Sequence, residues 1–181
     1  DLIRDIVSLI GPDIRAKNLH LTVHPLQVKH EDVIGDSMRI QQIFLNILNN
    51  SVNYTPPGGR LEIYVTEHES NEHGCSSYDF IFSDTGIGIE EKFIRHIFEP
   101  FSRSEVSDVS KIDGVGLGMT IAQNIARMMG GAISVKSQPG KGAQFTVTLI
   151  LKLQHPTEYP DCLPEPVQTA PPENPFQGYK I

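Results

Sequence analysis

The chain has 181 residues, with 39% hydrophobic and 20% charged side chains, a composition that fits one soluble globular domain with an appendage. Its formal net charge of -7 excludes broad nucleic-acid affinity, which needs a basic face. Two cysteines, Cys75 and Cys162, make no disulfide framework, no apolar run reaches the roughly 20 residues of a membrane span, and no signal-peptide pattern opens the chain, so a reduced, cytosolic setting is expected.

Leu2, Ile3, Ile6, Val7, Ile10 and Ile14 recur at helical spacing and predict an amphipathic first helix. Leu19, Leu21 and Val23 alternate with polar residues as a strand does. A second helix is expected from about Asp36 to Asn53, capped by Asp36 or Ser37, with Ile40, Ile43, Phe44, Ile47 and Leu48 as its buried stripe. Pro56-Pro57-Gly58-Gly59 stops it. Two strands follow, carrying Leu61, Ile63 and Val65, then Phe80 and Phe82, around a polar loop from Glu69 to Ser77. A short helix is expected near Glu90–Ile97, and the polar stretch Ser102–Asp113 reads as a loop. A third long helix runs from about Leu117 to Met129 and ends at Gly130-Gly131. Two closing strands carry Ile133 and Val135, then Phe145, Val147 and Leu149, about a turn at Pro139–Gly142. From residue 153 to 181 prolines accumulate, as in an extended linker or tail. The sum is one α/β sandwich over residues 1–152, a mixed sheet with helices on one face.

Three short segments carry the chemistry. Asn46, Asn50 and Asn53 are spaced by four and three and so share one helix face. Their amide oxygens suit magnesium when phosphates supply the remaining charge, although a solvated polar face has the same pattern. Asp84 stands where a strand enters the turn DTGIGI. A carboxylate there can accept from the exocyclic amine of adenine, whereas guanine would present a carbonyl oxygen. Gly86 and Gly88 allow positive φ and close backbone approach, as they would in a plain Asp-Gly turn. Gly114, Gly116 and Gly118 open the third helix, where exposed amides form an anion site, or else they form a flexible hinge. The run is neither a dinucleotide fingerprint, since Met119 stands where GxGxxG needs glycine, nor a P-loop, since no GK[ST] follows. An aspartic protease would need a second Asp-Thr-Gly lobe, which a single copy does not supply. His68, His73 and Cys75 lack zinc-site spacing.

In this order the segments resemble the catalytic, ATP-binding domain of sensor histidine kinases, most closely the hybrid type. GDSMRIQQIFLNILNNSVNYT resembles the family's N box, DTGIGI its first glycine box and IFEPF its phenylalanine box. GVGLGMTIAQNIARMMGG resembles the second glycine box, and SQPGKGAQFTVTL the closing hairpin. The resemblance implies the Bergerat fold: an α+β two-layer sandwich, its mixed sheet mostly antiparallel, with three main helices on one face. It implies ATP and magnesium as cofactors, with the metal on Asn50 and Asn46 beside the metal or phosphates. It implies an aromatic base contact from Tyr54 and a purine-reading carboxylate at Asp84. The glycine boxes place Gly86, Gly88 and Ile89, then Gly114, Gly116, Leu117 and Gly118, against the nucleotide. Arg103, in a lid over Ser102–Asp113, matches the arginine that reaches the terminal phosphate, and Lys111 is a second cation. Asn53 stands where the family often has lysine, and Ala143 where it often has Thr or Ser.

No histidine here has the setting of the family's phosphoacceptor, since His30-Glu31 is followed by DVIG. The expected reaction is therefore transfer of the γ-phosphoryl group to a histidine on a separate dimerisation domain, with a response regulator or receiver domain downstream. No nucleic-acid partner and no direct membrane contact are expected. The implied location is cytoplasmic, in a parent anchored to the membrane. Related ATPases of the gyrase, mismatch-repair and heat-shock chaperone kind are the first alternative. In the gyrase-like pattern their water-activating glutamate falls on Asn46, and an amide accepts no proton at neutral pH. A nucleotide-sensing pseudokinase module is the second.

Overall fold

The computed structural model describes residues 2–102 and 116–154. Arg103, Lys111, Gly114 and the tail beyond residue 154 lie outside the described residues. The elements are α1 (Leu2–Ala16), β1 (His20–Val23), β2 (Val33–Ile34), α2 (Ser37–Tyr54), β3 (Arg60–Glu69), β4 (Cys75–Asp84), α3 (Glu91–Ile94), α4 (Gly118–Met128), β5 (Ala132–Ser137) and β6 (Ala143–Leu153). The sheet runs β1-β3-β4-β6-β2, and β5 also pairs with β6. β1 is parallel to β3, and the other pairings are antiparallel. No helix of the described residues is long and apolar enough to cross a membrane.

The long strands alternate. Leu61, Ile63 and Val65 of β3, Phe80 and Phe82 of β4, and Phe145, Val147 and Leu149 of β6 are buried on one face. Onto that face pack Ile6, Ile10 and Ile14 of α1, the Ile40–Val52 stripe of α2, and Met119, Ala122, Ile125 and Ala126 of α4. Phe44 of α2 is fully buried, with tilted ring contacts to Phe80 at 4.7 Å and Phe82 at 5.0 Å. Burying one such ring is worth roughly 1.5–3 kcal/mol, so this cluster fixes α2 across the centre of the sheet.

Caps set the ends of the helices. The Asp36 side chain accepts from the Arg39 amide at 3.0 Å and starts α2. Lys17 donates from Nζ to the Val52 and Asn53 carbonyls, each at 2.7 Å, and so satisfies the other end. The Gly131 and Gly130 amides donate back to Ala126 and Arg127 and close α4 at the glycine pair read in the sequence.

Four expectations change. The polar loop from Glu69 to Ser77 shrinks to residues 70–74, because the β3–β4 ladder runs out to Glu69 and Ser76. β2 was not expected from the sequence; its two residues hold no alternation and pair only with Leu153 and Lys152. β6 accordingly reaches Leu153, one residue into the segment read as tail. The helix expected near Glu90–Ile97 holds only Glu91–Ile94.

The hairpin could be polar and still pair because Glu67 is satisfied. Its side chain is 6% exposed and accepts from His30 Nδ1 at 2.6 Å, and from the backbone amides of His30 at 2.8 Å and Lys29 at 2.6 Å. Burial alone would raise its pKa; the donors of His30, Ser76 and Lys29 outweigh that and bring it from 4.5 down to about 2. A depressed carboxyl stabilises the fold above its unfolded value and loses that contribution as pH falls through the folded value. Glu67→Gln should therefore flatten the loss of stability between pH 4.5 and about 2, measured by urea unfolding at stepped pH. An unchanged acid limb would show that the buried pair does not govern it.

Candidate functional site

The C-terminal half of α2, the end of β4 and the start of α4 enclose a cavity of about 630 Å³. Asn46, Asn50, Tyr54, Asp84, Gly88, Ile89, Gly116, Leu117 and Gly118 all line it. Segments separated by tens of residues in sequence thus meet in one cleft. Asn49 and Asn53 also reach it, although both residues are exposed. Ile87, Phe93, Ile97 and Ile121 contribute apolar wall, and Pro139, Ala143 and Phe145 close the side toward the β5–β6 hairpin.

Asp84 ends β4 and is 7% exposed. Its Oδ1 accepts from the Gly86 amide at 2.9 Å and the Ala143 amide at 3.2 Å. Its Oδ2 accepts from the Ser51 hydroxyl at 3.1 Å. Burial pushes the carboxyl up from its ordinary value, and these three hydrogen bonds oppose the shift. Ser51 was missed in the sequence, yet a signal was present. It follows Ile47 by one helical turn, so it is a polar group on the buried stripe and needs a partner.

The two glycines of the turn serve different needs. Gly88 has φ +72°, as expected. Gly86 lacks positive φ; it is required because a Cβ would lie 2.7 Å from both Asp84 Oδ1 and the Tyr54 carbonyl. The turn is fastened on both sides. The Ile87 amide donates to the Tyr54 carbonyl, the Ile89 amide to Ser137 Oγ, and the Gly140 amide to the Ile87 carbonyl. The Asp84 end of the cleft is therefore fastened to α2, β5 and the β5–β6 turn.

The other end is built from α2 and α4. A Cβ on Gly118 would lie 3.1 Å from Asn46 Oδ1, so the α4 N-terminus sits against the asparagine face. Leu117 is the N-cap and gives no side-chain acceptor to the first amides of α4. Uncapped amides at a helix start favour an anion. Asn46 and Asn50 are half-buried neutral oxygen donors, a set that fits magnesium once phosphates complete the charge. Among the described residues no lysine or arginine lines the cavity, and its charged groups are Asp84 and Glu90. Phe101 and Gly116 are joined across the undescribed segment by an amide-to-carbonyl bond of 3.2 Å.

Residues 35–153 match the family of histidine kinase-, DNA gyrase B-, and HSP90-like ATPases. The chain is 32% identical over 185 residues to the autoinducer 2 sensor kinase/phosphatase LuxQ of Vibrio vulnificus, covering 100% of this chain and 20% of LuxQ. It is 33% identical over 149 residues to the signal transduction histidine-protein kinase BarA of Escherichia coli K12, covering 82% of this chain and 16% of BarA. The chain thus spans a fifth or less of these relatives. The structure of full-length ShkA in complex with AMPPNP matches with a TM-score of 0.67 and 25% identity, covering 84% of this chain and 30% of that one. The fold is the Bergerat sandwich that the sequence motifs implied.

A buried carboxyl whose folded pKa is raised stabilises the fold only below its unfolded value and costs stability once ionised. Asp84→Asn should therefore raise the melting temperature of the nucleotide-free protein near neutral pH. The gain should vanish below the ordinary carboxylate pKa of 3.8. A lower melting temperature at neutral pH would show that the ionised carboxylate is a net stabiliser.

Proposed function

We propose, from the premise that this chain belongs to the histidine kinase-, DNA gyrase B-, and HSP90-like ATPase family, that it is a Mg-ATP-binding kinase domain. It serves a two-component sensor kinase and transfers the γ-phosphoryl group to a histidine on a dimerisation domain outside this chain. The observation that carries this reading is the polarity of the cleft. A buried acceptor, Asp84, stands at one end, and amide oxygens with uncapped backbone amides stand at the other.

In this reading Asp84 accepts from the adenine amine, and Tyr54 and the apolar wall cover the base. Asn50, with Asn46 beside it, would hold magnesium, which when bound neutralises phosphate charge and orients the terminal group. The α4 amides receive phosphate oxygens. Arg103, with Lys111 as a second cation, supplies the positive charge that the described lining lacks. Catalysis is then positioning plus charge stabilisation.

Water activation is not supported. Asn46 offers no base. Asp84 stands, in this reading, at the purine end, away from the terminal phosphate, and Glu90 is exposed and ion-paired with Lys92 at 2.9 Å. The resemblance of the motifs to sensor histidine kinases implies a cytoplasmic domain within a membrane-anchored parent, with a response regulator or receiver domain as the next acceptor. The 153–181 segment would link to it.

The test is transfer of labelled phosphate from ATP to a supplied dimerisation domain bearing a histidine. Transfer should depend on magnesium and stop with a chelator. Asn50→Ala should weaken magnesium-dependent ATP binding about tenfold or more, equivalent to about 1.4 kcal/mol. Arg103→Ala should spare ADP binding and slow transfer about a hundredfold. Steady phosphate release into water, with no transfer to the histidine domain, would favour the ATPase reading instead.

A further inference from the structure

We propose that Ser51 is a positioning residue that determines base specificity. Its hydroxyl orients the Asp84 carboxylate and keeps it an acceptor, so that the inner end of the cleft takes a purine bearing a donor at its 6 position. The inference rests on the nucleotide reading above.

The two oxygens of Asp84 are held differently. Oδ1 is fixed by the backbone amides of Gly86 and Ala143. Oδ2 receives one protein donor, the Ser51 hydroxyl at 3.1 Å. On the β6 side the neighbour is Ala143, which brings an amide and no hydroxyl. Among the described residues Ser51 is therefore the single side-chain donor to this carboxylate. It is 2% exposed and lines the cavity.

A hydroxyl has one proton, and here Asp84 receives it. What the Ser51–Asp84 pair can still offer a ligand is acceptor capacity alone. A 6-amino group satisfies it, while a 6-carbonyl oxygen meets acceptors and is refused. Protonation of Asp84 would turn the carboxyl into a donor and undo the selection. Burial favours that protonation, and the Ser51 hydrogen bond opposes it. The other titratable groups lining the cavity are Tyr54 from α2 and Glu90 ahead of α3. Among the described residues β6 and α4 bring none to the cavity, and β3 pairs with Asp84 through Leu61.

The experiment is calorimetric titration of the full chain, and of its Ser51→Ala variant, with ADP and GDP from about pH 5.5 to 8.5. Ser51→Ala should raise the Kd for ADP about tenfold at neutral pH and shrink the preference for ADP over GDP. It should also move the loss of ADP binding in acid to higher pH. Ser51→Cys, close in volume and a poorer donor, should shift all three the same way, and it carries the test if the alanine variant does not fold. ADP affinity within about twofold of wild type at an unmoved pH midpoint overturns the inference. So does weaker binding with preference and midpoint unchanged, the mark of a merely structural serine. Equal wild-type affinity for ADP and GDP removes the purine reading itself, and this inference with it.

Discussion

A buried acidic side chain ends β4, an interior strand, and lines the cleft, where α2, the following turn and the β5–β6 hairpin each donate one hydrogen bond to it. Each donor belongs to a different element, so satisfying Asp84 sets the mutual register of all three. An unsatisfied buried carboxylate is costly, and the cleft is tolerable only when the donors are in place. The same arrangement leaves acceptor capacity free for a ligand. Stability and recognition thus pull on one group, as they often do where a buried charge serves binding.

The opposite end of the cleft meets a different problem. The chain is acidic overall, at -7, and the described lining offers no cationic side chain. Amide oxygens on α2 and free amides at α4 are weak individually, but they face one another across a short gap. A cation carried in with a polyanion would supply the charge that this described surface lacks. The charge pattern therefore argues for a nucleotide taken with its metal, and against a site that binds bare phosphate tightly.

Much of this was legible because the local signals agreed with one another. The Ile40–Leu48 stripe fixed α2, and the same periodicity placed Asn46 and Asn50 on the adjacent face. Alternating Phe80 and Phe82 announced β4, so Asp84 could be placed at its end. Other features depend on distant partners. β2 exists only through pairing with the end of β6, and the polar tip of the β3–β4 hairpin is held by His30 from an earlier loop. Gly86 does not line the cavity itself; its necessity lies in the Tyr54 carbonyl, a contact across 32 positions that spacing does not reveal. Ser51 was readable as a polar residue on a buried face, though its partner was not.

The central claim is that one cleft has a purine end and a phosphate end. A crystal structure of the chain grown with magnesium and a non-hydrolysable ATP analogue tests it most directly. The account predicts the adenine amine within hydrogen-bonding distance of Asp84 Oδ2, and the phosphates between the Asn46–Asn50 face and the start of α4. A nucleotide bound with its base away from Asp84, or seated outside this cleft, would contradict it.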